Sequence, residues 1–170
     1  KMIASKKIKE NITDMVKNTA KSTVRLILGD QLNPLHSWFT AVDDNIVYVL
    51  MELRQETDYV LHHAQKILAI FAGMSDFAAL LKAAGHRVNY VQIDDVANLP
   101  TITDNLKALI AKYHATVLEY QAPDEWRLDL ELADFAKSLS KSNKISVQMF
   151  DTEHFFTTRD EVAVLFGERK

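Results

Sequence analysis

The sequence predicts an α/β fold: a doubly wound, five-stranded parallel sheet of Rossmann-like type, built as a single domain over residues 23–170. Three observations predict it. From Val24 onward, five apolar runs alternate with helical patterns. The runs are rich in β-branched residues and almost continuously apolar, as strands buried on both faces of a parallel sheet must be. Helical connections between them supply the right-handed crossovers that parallel strands need. The chain has 170 residues, 48% of them hydrophobic and 25% charged. A chain of that size can bury roughly 70% of the surface its unfolded form exposes.

Residues 1–22 stand apart. They carry six Lys against Glu10 and Asp14, a local charge of +4. Ile8, Ile12, Met15 and Val16 fall at helical spacing, but the segment is expected to be a basic, flexible extension. It has no apolar stretch of seven or more residues, so it does not read as a secretory signal.

The first strand is Val24–Leu28, which ends at Gly29-Asp30, and the second is Ile46–Met51. A long helix follows from Tyr59 to Ala84. Val60, Ala64, Ile67, Phe71, Met74, Ala78 and Leu81 form its inner stripe, and Gly85 stands at the C′ position. Ile70 and Phe77 form a second stripe. An arc that wide predicts an exposed apolar face on which a domain or a ligand packs. The third strand spans Arg87–Ile93. A helix over Thr101–Tyr113 is capped by Thr101, with Asp104 in its first turn. The fourth strand is Ala115–Tyr120. Asp124 is positioned to cap a helix over Asp124–Ser140, and Ile145–Phe150 is the fifth strand.

Composition excludes several classes of function. Without cysteine, the chain cannot carry a disulfide scaffold, a Cys-based zinc site or an iron–sulfur cluster. A net charge of −3 gives no global attraction to nucleic acid. No continuous run of about 18 apolar residues is present, so no membrane partner is expected.

In an open parallel sheet, ligands bind beyond the carboxyl ends of the strands, where strand order reverses. The tips here are polar and acidic. Gly29 stands alone where a dinucleotide fingerprint needs three glycines, and a P-loop is missing too. Glu52, Glu56, Asp58, His62 and His63 cluster after the second strand. The adjacent histidines point about 100° apart on a helix, so no metal site is predicted. Glu52 and Glu56 could form an acid–base pair, but no nucleophile with an activating partner shares their tip, so binding is favoured over catalysis.

The tips also carry a resemblance. Arg25-Leu26-Ile27-Leu28-Gly29-Asp30-Gln31-Leu32-Asn33-Pro34 with His36-Ser37-Trp38-Phe39 comes first. Glu52 and Glu56-Thr57-Asp58-Tyr59-Val60 follow, with His62-His63 and Lys66-Ile67. Ala84-Gly85-His86-Arg87-Val88 and Pro123-Asp124-Glu125-Trp126-Arg127 complete the series. Together these segments resemble the opening third of the deoxyribodipyrimidine photolyase-related proteins, also called iron–sulfur bacterial cryptochromes or prokaryotic (6-4) photolyases.

That resemblance implies a cytoplasmic flavoprotein that repairs damaged DNA under light, or a light sensor derived from one. It implies FAD and a [4Fe-4S] cluster in a C-terminal helical domain, which this chain would lack and which would be its partner. Such a piece is not catalytic alone. For this domain the resemblance implies an antenna chromophore, with 6,7-dimethyl-8-ribityllumazine the leading candidate. Its pocket would be formed by Gly29, Asp30, Glu56, Tyr59 and Ile70, with Glu52 and His63 nearby. A stand-alone nucleotide-binding or regulatory module of the same fold is the alternative.

Overall fold

Five strands, β1 (Thr23–Leu26), β2 (Ile46–Met51), β3 (Arg87–Val91), β4 (Val117–Gln121) and β5 (Ser146–Phe150), form one sheet. Every pairing is parallel and the order is β3-β2-β1-β4-β5. A computed structural model describes residues 21–141 and 145–167. The expected five-stranded α/β sheet is therefore present, with β1 at its centre. The basic extension expected over residues 1–22 lies outside the described residues except for Lys21 and Ser22. The Ser22 carbonyl already accepts hydrogen bonds from the Thr116 and Val117 amides.

The helices are α1 (Arg54–Asp58), α2 (Ala64–Ala83), α3 (Ile102–Lys112), α4 (Trp126–Ser140) and α5 (Arg159–Leu165), and both faces of the sheet are covered, one by α2 and the other by α3 and α4. Alternation along the strands sends Val24, Leu26, Val49, Leu118 and Tyr120 to one face, where Leu106 of α3 and Leu132 and Phe135 of α4 meet them. Ile27, Tyr48 and Leu50 face the other way, under Trp38 and the Met74, Phe77, Ala78 and Leu81 side chains of α2. Arg25, in the central strand, is held by Glu119 at 2.6 Å and Tyr48 at 3.0 Å, with Trp38 against its guanidinium.

Several expectations are corrected. The connection from β1 to β2 holds a 3-10 turn over Ser37–Phe39 and no α-helix. The helix expected from Tyr59 is two helices, α1 and α2, separated by a turn, and α2 begins only after His63. Phe77 is not on an exposed face: it is buried against Phe39, whereas Ile70 is 38% exposed. Asp124 does not cap α4. Glu125 occupies that position without a side-chain hydrogen bond, and Asp124 faces His154 at 3.0 Å. Among the described residues, α2 is long and apolar enough to cross a membrane by length and composition. Its C-terminal half packs on the sheet as a core helix does.

Local chemistry sets the ends that position the site. The Gly85 amide donates to the Lys82 carbonyl and the His86 amide to that of Leu81. This is a Schellman stop with Gly85 at φ +93. Thr101 caps α3 by accepting from the Asp104 amide at 3.1 Å.

Candidate functional site

A cavity of about 390 Å³ opens at the carboxyl end of β1. Leu26 through Asp30 line it from β1, and Met51 and Leu53 from β2. Ile67, Ile70, Phe71 and Met74 form an apolar wall on α2. Glu56 and Tyr59 enter from the α1 segment, and Glu125 and Leu128 from the start of α4. Strand order reverses between β1 and β4, so the cavity lies over the strand where the reversal begins. Gly29 permits the close approach of α2. A Cβ there would stand 3.0 Å from Ile70 Cγ2 and 3.1 Å from Met74 Sδ.

The polar side of the cavity is acidic, and one arginine ties it together. Arg127, in the first turn of α4, donates from Nη2 to Glu56 Oε2 at 2.8 Å and from Nε to Glu125 Oε1 at 2.9 Å. Its guanidinium also lies over the Tyr59 ring, 4.4 Å from the centroid. Burial works against the charged guanidinium, yet the Glu56 and Glu125 carboxylates push its pKa above the ordinary value. For Glu56 the balance goes the other way: burial raises its carboxyl although Arg127 opposes the rise. The Glu125 and Glu131 carboxylates add to the rise, and Glu56 Oε1 is buried without a hydrogen-bond partner. Asp30 is raised too, first by partial burial and then by Asp124 and Glu125, though its backbone hydrogen bond and His154 pull it back. Gln55 braces the arrangement, donating to Glu131 at 2.6 Å and accepting from the Ile102 amide at 2.9 Å.

Of the seven residues singled out from sequence, Gly29, Asp30, Glu56, Tyr59 and Ile70 line this one cavity. Glu52 and His63 do not. Glu52 is buried, accepting from the Tyr90 hydroxyl and from the Ile93 amide at 2.9 Å, so its carboxylate joins the tips of β2 and β3. It is not brought into an acid–base pair with Glu56. His63 precedes α2 and accepts from the Gln65 amide at 3.3 Å. Its neighbour His62 lines the cavity instead and meets Tyr59 edge-on. Among the described residues, no group of three or more His, Cys, Asp or Glu could hold a metal ion.

Residues 25–170 match the family described as deoxyribodipyrimidine photo-lyase-related protein. The chain belongs to that family. It is also similar to a curated "(6-4) photolyase" of Agrobacterium fabrum, at 36% identity over 143 residues. That match covers 82% of this chain but 27% of the relative, so the chain spans about a quarter of the relative's length. A solved structure from the universal stress protein family of Burkholderia pseudomallei aligns at 12% identity, over 76% of this chain and 96% of its own. The TM-score is 0.34.

In this photo-lyase-related chain, sequence reasoning leaves Arg127, His62 and Glu125 off the candidate site. Arg127 belongs to the segment Pro123–Arg127, which stands at a strand tip and could have been included on that ground. The choice of His62 over His63 turns on the helix starting late, at Ala64, which residue spacing does not reveal.

Proposed function

We propose that this photo-lyase-related domain binds an antenna chromophore for a light-driven DNA-repair flavoprotein. The chromophore is a planar, ribityl-bearing heterocycle of the 6,7-dimethyl-8-ribityllumazine type. The observation that carries the reading is the pairing of an apolar wall at Ile70 with an unpartnered carboxylate oxygen on Glu56, both at one cavity. A neutral heterocycle asks for that combination: a flat apolar surface and a few fixed acceptors for ring or hydroxyl donors. The chromophore would absorb light, and the domain would hold it fixed and shielded from water. FAD and the [4Fe-4S] cluster would belong to a C-terminal helical domain, and damaged DNA would be the partner of the whole protein.

The acidic edge also weighs against the nucleotide-binding alternative. Asp30, Glu56 and Glu125 outnumber Lys66 among the acidic and basic residues that line the cavity and would repel a phosphate, and Arg127 is already engaged by two carboxylates.

Titration of the 170-residue chain with 6,7-dimethyl-8-ribityllumazine, followed by fluorescence or calorimetry, tests the reading. Wild type is expected to bind. Ile70→Trp fills the apolar side and abolishes binding. Glu56→Ala removes a charge-assisted hydrogen bond and weakens binding by about 1.5–3 kcal/mol, roughly 10- to 150-fold. Binding that ignores both substitutions would place the ligand elsewhere.

A further inference from the structure

We propose that Arg127 is a positioning residue of the cavity, fixing through Glu56 and Tyr59 both the acceptor and the outer wall that a ligand meets. The inference rests on the antenna reading and names a residue that reading does not use. A lone carboxylate on a one-and-a-half-turn helix such as α1 can rotate and present either oxygen. Here Arg127 holds Glu56 Oε2 at 2.8 Å, so Oε1, buried and without a hydrogen-bond partner, is the oxygen left over on a residue that lines the cavity.

The same guanidinium is itself oriented by two contacts with Glu125, at 2.9 and 3.2 Å. Its planar fork allows those bonds in one plane while its face covers Tyr59. Tyr59 is otherwise half exposed and belongs to the turn between α1 and α2. Arg127 therefore clasps α1 and the turn after it to the first turn of α4, through Glu56 and Tyr59, which line the cavity. Lysine would keep the charge but could reproduce neither the fork nor the stacking face.

The charged groups around Glu56 are Arg127, Glu125 and Glu131 from α4, with Asp30, His62 and Lys66 also at the cavity. Arg127 is the one cation among them that touches Glu56 in the described residues.

Two measurements on the full chain, as wild type, Arg127→Gln and Arg127→Lys, test the assignment. In the first, the Glu56 carboxyl is followed by carbon NMR titration without ligand. Its midpoint is expected to rise in Arg127→Gln and to stay lower in Arg127→Lys, which keeps the charge. In the second, lumazine affinity is expected to fall roughly 10- to 150-fold in Arg127→Gln. Arg127→Lys should recover only part of the loss, because the Tyr59 wall is not restored. A Glu56 midpoint identical in all three proteins overturns the proposal, as does unchanged affinity in both variants. Should wild type bind no lumazine, the antenna reading falls, and the Glu56 midpoint alone decides the role of Arg127. Should Arg127→Gln fail to fold, the comparison of wild type with Arg127→Lys decides.

Discussion

Glu56 is held partly out of water, and burial raises its carboxyl above the ordinary 4.5 even with the Arg127 guanidinium beside it. Two opposite pH dependences follow. A carboxyl whose folded-state pKa is raised binds its proton more tightly folded than unfolded. Its contribution to stability is complete below 4.5 and is lost as pH rises through the higher folded-state value. A ligand donor, in contrast, needs the ionised oxygen, so lumazine affinity should fall as pH drops through that same range. Glu56→Gln should flatten both trends, and thermal melts and titrations at pH 4 and pH 7 would check this. At this scale the sequence is informative where a residue's place depends on its neighbours in the chain, as with Gly29 and Asp30 at a strand tip. It misassigns Glu52, because the partners that claim its carboxylate, Tyr90 and Ile93, lie about forty positions away.

Helix ends show the same division. Gly85 and Thr101 are legible because a stop or a cap is chemistry among residues a few positions apart. Gly85 adopts φ +93, so Gly85→Ala forces a side chain into the left-handed region and should cost about 1–2 kcal/mol. Thr101→Ala removes the acceptor of the Asp104 amide and should cost about 1 kcal/mol. Asp124→Ala should leave α4 nearly unchanged, since Asp124 caps nothing. Urea denaturation of the three variants would separate the first two from the third. The start of α2 is harder to read, because Val60 and Ala64 continue the apolar stripe across a turn. A cap that could have been read is Thr158-x-x-Glu161 before α5. The Thr158 amide donates to Glu161 at 2.7 Å, and the Glu161 amide donates back to Thr158.

Across the whole molecule, the parallel sheet is legible because strands covered on both faces must be apolar throughout. The point where strand order reverses is not, since β1 selects β4 as a neighbour across about ninety residues. Nor does the sequence disclose how unequal the two faces are. Among the described residues, sixteen buried hydrophobics pack on the α3–α4 side and eight under α2, so the α2 side has the thinner core. The four buried residues of α2 all lie between Met74 and Leu81, and residues 64–73 contribute none. That first half of the helix should therefore open as a separate unit, well before the sheet. Amide hydrogen exchange is expected to be faster over residues 64–73 than in α3 or the rest of α2. Because Ile67, Ile70 and Phe71 belong to that half, a molecule entering the cavity would complete the helix's missing core. On the antenna reading capture and local folding would be one event, and lumazine should slow exchange there while leaving residues 105–112 of α3 unchanged.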